Sequence, residues 1–143
     1  MVRKKILFLC TGNSCRSQMA EGLCRKYCGD FLDAYSAGIE THGLNSRAVQ
    51  VMGEKGIDIS GHTSKTTESF GEMEFDFVVT VCSHAHETCP YFPAETQVLH
   101  RGFDDPPVLA ANISSEEEIL AVYRKVVNDI ERFVKELPEL LNL

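Results

Sequence analysis

Residues 6 to 17 read Ile6-Leu7-Phe8-Leu9-Cys10-Thr11-Gly12-Asn13-Ser14-Cys15-Arg16-Ser17. The first four are a continuous apolar run, the pattern of a strand buried on both faces of a parallel sheet. Thr11-Gly12-Asn13-Ser14 then breaks the run with turn chemistry, and Met19, Leu23 and Tyr27 recur at helical spacing up to Gly29, a C-terminal stop. Strand, polar turn and helix in that order open the phosphate-binding units of α/β folds. Cysteine, five residues and arginine have a mechanical meaning at such a junction. The backbone between them can curl so that its N–H groups converge on a tetrahedral oxyanion. Arg16 adds two parallel charge-assisted hydrogen bonds. Cys10 lies at the bottom, where a helix N-terminus and a guanidinium favour the thiolate. Gly12 permits the turn, Ser17 can donate to the thiolate, and Asn13 can pin the loop from within.

Outward from this stretch, helical and strand patterns alternate. Phe31 to Ser36 reads as a second strand, and Asn45 as the cap of a helix through Ala48, Val51 and Met52 that ends at Lys55-Gly56. Phe75 to Val81 is a strongly apolar third strand, and Val98-Leu99 a weaker fourth. Ser115 caps Glu116-Glu117-Glu118, acids suited to the positive end of a helix dipole. The stripe Ile119, Val122, Val126, Ile130, Phe133 and Leu137 follows one helix face until Pro138, expected to interrupt it. Such alternation predicts βαβ units in a parallel sheet, as a single α/β domain over residues 1–143.

The net charge of -7 argues against a nucleic-acid partner and makes any anion site a local construction against the overall field. No apolar run approaches membrane-spanning length, and the apolar stretch after Lys5 is too short for a secretory signal. A cytoplasmic protein without a membrane partner is therefore expected; the sequence does not set the oligomeric state, and a monomer is the default expectation. In that compartment the six cysteines are buried apolar residues or working thiols rather than staples.

The string Cys10 to Ser17 resembles the P-loop of the low-molecular-weight protein tyrosine phosphatase superfamily. The segments Ser17-Gln18-Met19-Ala20-Glu21-Gly22, Tyr35-Ser36-Ala37-Gly38-Ile39-Glu40-Thr41-His42-Gly43 and Gly102-Phe103-Asp104-Asp105-Pro106 resemble its thioredoxin-coupled arsenate reductase branch. The resemblance runs from about Lys4 to Pro107. It implies four parallel strands in the order 2-1-3-4 with flanking helices, and an oxyanion held by Thr11, Gly12, Asn13, Ser14, Cys15, Arg16 and Ser17. It also implies Asp105, rather than Asp104, as the general acid. A phosphatase needs only Cys10, Arg16 and that acid, whereas arsenate reduction needs two electrons from thiols. Read alone, Cys82 is a buried strand-end cysteine and Cys89 a loop thiol. With the resemblance they become the carriers of a Cys10–Cys82 and then a Cys82–Cys89 disulfide, which thioredoxin reduces. Weak phosphatase activity is compatible with this reading, and a tyrosine phosphatase is the alternative. No cofactor and no resident metal are expected.

The relay makes a geometric demand. If residues 82 to 89 were regular helix, their Cα atoms would stand roughly 10 Å apart, beyond the ~7 Å a disulfide tolerates. The segment must bend, loop out or unwind. Cys24 and Cys28 share a helix face and read as structural, as does the Cys15 side chain. His84 and His86 with the two relay thiols could in composition hold zinc, but the spacing is not that of a zinc knuckle, and solvated histidines are expected. Finally, some members of the branch hold potassium with residues matching Asn13, Glu21 and Ser36 plus an aspartate, where this chain has Lys65. Its ammonium is expected either to replace the ion by reaching Glu21 or to point into solvent.

Overall fold

The computed structural model describes residues 3–90 and 92–143. The opening apolar run forms β1 (Lys4–Cys10), whose Ile6, Leu7, Phe8 and Leu9 are fully buried. Burial on both faces follows from its central place. β1 pairs in parallel with β2 (Leu32–Gly38) on one side and β3 (Phe77–Thr80) on the other. A short β4 (Gln97–His100) lies parallel to β3 at the edge, giving the order β2-β1-β3-β4 that the resemblance implies. Val98 is 45% exposed, which explains why the fourth strand is the weakest apolar signal.

The third strand is shorter than its apolar run suggests. Asp76 ends the ladder by accepting from Lys5 N at 2.9 Å through its carboxylate and donating its own N–H to Lys5 O at 2.9 Å. Phe75 instead joins Tyr35 and Phe70 in a mutual edge-on cluster with centroids 5.4 to 5.7 Å apart.

Helix α1 (Arg16–Cys28) follows the P-loop directly, and α2 (Ser46–Glu54) begins at Asn45 as predicted. Asn45 Oδ1 accepts from Arg47 N and Ala48 N, and its amide donates to the buried Tyr123 hydroxyl at 3.1 Å. Three short helices were not legible: the 3-10 turn Thr67–Phe70, α3 (Ser83–Glu87) and α4 (Pro106–Leu109). The last helix, α5 (Glu116–Leu140), packs on α1 and α2. No helix among the described residues is long and apolar enough to cross a membrane.

Pro138 does not end α5; the helix runs on to Leu140. A proline in a helix leaves the carbonyl four residues earlier without its N–H donor. That carbonyl, Val134 O, is taken by the buried Cys28 thiol of α1 at 3.4 Å. Cys28→Ala should thus strip this acceptor and open a small void, costing about 1–2 kcal/mol. Urea unfolding would read the loss, and an unchanged midpoint would show that the thiol contact is immaterial.

Candidate active site

The loop between β1 and α1 is shaped by bonds that turn its carbonyls outward. Ile39 N donates to Cys10 O (3.0 Å), Glu40 N to Thr11 O (2.9 Å), His42 N to Gly12 O (2.9 Å) and Asn45 N to Ser14 O (3.0 Å). Asn13 O accepts from Gln18 Nε2 at 3.1 Å. With the carbonyls engaged from the outside, the loop's N–H groups are left for an anion. The segment after β2 can approach this closely because of two glycines. A Cβ on Gly38 would lie 2.4 Å from Glu40 O, and one on Gly12 only 2.3 Å from His42 Nδ1.

Asn13 pins the loop as its residue type suggested. It is fully buried with φ 47°, a left-handed conformation that asparagine tolerates better than most residues. Its amide donates to Ser17 Oγ (2.9 Å) and Ser36 Oγ (3.0 Å), and its Oδ1 accepts from Lys65 N (2.9 Å) and Gln18 Nε2 (3.0 Å). Ser17 Oγ lies 2.9 Å from Cys10 Sγ. Ser36 in turn donates to Glu21 at 2.7 Å.

Cys10 is nearly buried beneath a cavity of about 210 Å³, lined also by Arg16, His42, Asp105 and Pro107. That is smaller than the ~300 Å³ where pockets for drug-sized molecules begin, a size suited to a small inorganic anion. Arg16 is aimed by the loop after β4. Its Nη1 donates to Phe103 O at 3.1 Å, and its Nη2 stands 3.4 Å from Asp105 Oδ2. Asp104 makes no ion pair with Arg16 among the described residues. Asp105 precedes α4 but makes no side-chain cap bond, so its carboxylate stays committed to the cavity.

A second groove of about 480 Å³ shares Thr11, Arg16 and Asp105 as walls and is lined also by the buried Cys82. The Cys82 sulfur lies 3.3 Å from Thr11 Oγ1 of the P-loop and accepts from Ala85 N at 3.4 Å, capping α3. Cys89 is half-buried just past α3, and burial pushes its thiol pKa up. The six cysteines are all free thiols, and residues 83 to 87 between the two candidate relay thiols are helical. Helix α3 thus separates Cys82, its cap, from Cys89 just past its end.

The remaining thiols have structural surroundings. Cys15 is buried, and desolvation, then Asp105 and Cys10, hold it firmly as a neutral thiol against the opposing pull of Arg16. Cys24 and Cys28 are both buried on α1, and contact with Cys28 together with burial keeps Cys24 neutral.

Two side chains depart from expectation. Lys65 Nζ neither reaches Glu21 nor stands free; it donates to Thr63 O at 2.7 Å. Burial lowers its pKa, with Glu21 opposing and Arg25 reinforcing the shift. Glu21 is engaged by Arg25 at 3.0 Å and lies 3.5 Å from His62, which leaves Lys65 the nearby carbonyl. His86 is not simply solvated: its ring packs on His100 with centroids 4.3 Å apart, and His100 Nδ1 lies 2.9 Å from Thr80 Oγ1. Among the described residues no group of three or more His, Cys, Asp or Glu is arranged to hold a metal. His42 is a cavity wall that the sequence reading had not singled out. The only available signal was its place in the segment Tyr35 to Gly43, with no periodicity to show that it would meet Gly12.

The family model described as low molecular weight phosphotyrosine protein phosphatase matches residues 5–142. Among individual relatives, an arsenate reductase of Halalkalibacterium halodurans is 50% identical over 139 residues, 97% of this chain and 98% of its own. An arsenate reductase of Bacillus subtilis is 49% identical over the same shares. Among solved structures, the chain is similar to an arsenate reductase in the phosphate binding state (TM-score 0.75, 33% identity, 94% of this chain and 95% of that one). It is similar also to a low molecular weight protein tyrosine phosphatase from T. tengcongensis (TM-score 0.74, 28% identity, 95% and 98%). A cysteine beneath an arginine-walled loop cavity, in a chain matched over nearly its whole length, places this protein in the low molecular weight phosphotyrosine protein phosphatase family, beside relatives named arsenate reductases.

Proposed function

We propose that this chain reduces arsenate to arsenite in the cytoplasm, with thioredoxin as the external dithiol. The observation that carries the reading is the second thiol at the P-loop, Cys82, whose sulfur lies 3.3 Å from Thr11 Oγ1. Two electrons must reach the arsenic, and a thiol beside the nucleophile is where they can come from. The names of the relatives support the substrate.

The Cys10 thiolate attacks arsenic, and Asp105 supplies the proton with which water leaves. Arg16 and the loop N–H groups carry the charge that builds on the oxygens. The Cys82 thiolate then attacks Cys10 Sγ. The S–As bond breaks with its electron pair remaining on arsenic, which departs as arsenite, and Cys10–Cys82 forms. Cys89 attacks Cys82 as α3 unwinds, freeing Cys10 and leaving Cys82–Cys89 for thioredoxin to reduce. The raised thiol pKa of Cys89 in its half-buried position supports an order in which it acts last, after movement.

A tyrosine phosphatase on the same scaffold would use Cys10, Arg16 and Asp105 and leave Cys82 and Cys89 idle. One comparison separates the two. The chain with thioredoxin, thioredoxin reductase and NADPH should consume NADPH on addition of arsenate, and at least about tenfold more slowly without thioredoxin. Hydrolysis of an aryl phosphate with no arsenate-dependent NADPH consumption would favour the phosphatase.

A further inference from the structure

Helix α3 is too short to stand by itself. Isolated helices below about a dozen residues are marginal in water, and α3 has five, Ser83–Glu87. Its own backbone bonds, His86 N to Cys82 O at 3.1 Å and Thr88 N to His84 O at 3.0 Å, stay within the helix and its caps. Three attachments hold it to the rest of the chain among the described residues. Cys82 Sγ caps it by accepting from Ala85 N (3.4 Å), the Ala85 methyl is fully buried, and the His86 ring lies on His100 with centroids 4.3 Å apart and planes tilted by 34°. A single methyl buries little surface, which leaves the ring pair as the main side-chain tie between α3 and the sheet.

His100 is a firm partner. It ends β4 and pairs in register with Thr80 of β3, whose buried hydroxyl lies 2.9 Å from His100 Nδ1. The ring pair therefore fastens a marginal helix to the edge of the sheet. Both histidines are otherwise exposed. An aromatic pair shifts an equilibrium by about three- to tenfold, enough to hold a short helix and little enough to let go. Cys89 follows just past that helix, half-buried against the core. We propose that the His86–His100 stack is a clasp that holds α3 wound and Cys89 away from Cys82, and that its opening sets the pace at which the two thiols bridge. The purpose of the clasp rests on the thiol relay; its detection does not.

Hydrogen exchange of the reduced full chain, read by NMR at the Thr88 amide, tests the clasp without arsenate. Alanine is a better helix former than histidine, so propensity alone predicts slower exchange in His86→Ala. The clasp predicts exchange about threefold faster, returned to the parent's value in His86→Phe, which keeps a ring on His100. His100→Ala lies outside the helix and should loosen Thr88 by the same factor, with the double alanine variant going no further. Unchanged or slower exchange in either single alanine variant would overturn the proposal, as would equal loosening by His86→Phe. In a single round with arsenate, the Cys82–Cys89 bridge should form about threefold sooner in His86→Ala than in the parent. Bridging at the parent's pace would overturn the clasp's part in the relay. A bridge in none of these proteins would remove the relay itself, while the exchange result still decides the clasp.

Discussion

Cys10→Ser is expected to abolish arsenate consumption and aryl phosphate hydrolysis together, each by about 10⁴-fold or more. Both reactions start from the same sulfur, and the cavity offers no substitute. Cys15 is buried and held neutral by its surroundings. The Cys10 sulfur lies 2.9 Å from Ser17 Oγ at the base of the cavity. A serine hydroxyl fits that space but stays protonated near neutrality, so the change should remove chemistry and leave folding intact. Parallel assays on one preparation would check this. Aryl phosphate hydrolysis that survived at wild-type rate would assign the nucleophile elsewhere.

Cys82→Ser is expected to split the two activities. Arsenate consumption over many thioredoxin-driven turnovers should fall to about 1% or less, while aryl phosphate hydrolysis stays within about twofold of the parent. The substitution is mild in structure. A serine oxygen can keep the contact to Thr11 Oγ1, now 3.3 Å, and the cap to Ala85 N, now 3.4 Å. What it cannot do is form a disulfide. Equal losses in both assays would mean that Cys82 holds the P-loop in shape instead of carrying electrons.

Much of this architecture was legible because local and tertiary demands agree. The run Ile6 to Leu9 is apolar throughout because β1 is buried on both faces, and the residues that follow are polar because the chain turns there into the loop that leads to α1. Asn13, Ser17, Arg16 and Asp105 meet around Cys10 much as their residue types suggest. The failures share a physical cause, a partner distant in sequence. Pro138 stays helical because Cys28 supplies a donor from another helix to Val134 O, and no helical pattern encodes that contact. Lys65 turns to Thr63 O because Arg25 and His62 already attend Glu21. His86 finds His100 only because α3 and the end of β4 lie side by side. His42 is brought to the cavity by backbone pairing of residues 39 to 45 with the P-loop, which leaves no side-chain period to detect.

The order of thiol exchange is the centre of the account, and one chemical snapshot tests it. In Cys89→Ser the last exchange is blocked, so a single round with arsenate and no external reductant should trap the first disulfide. Peptide mapping by mass spectrometry, after alkylation of free thiols, should find Cys10 joined to Cys82, with Cys24 and Cys28 alkylated once the chain is unfolded. In the parent chain treated identically, the bridge should lie between Cys82 and Cys89, with Cys10 free. A trapped bridge at Cys15, Cys24 or Cys28, or no bridge formed as arsenite appears, would contradict the relay.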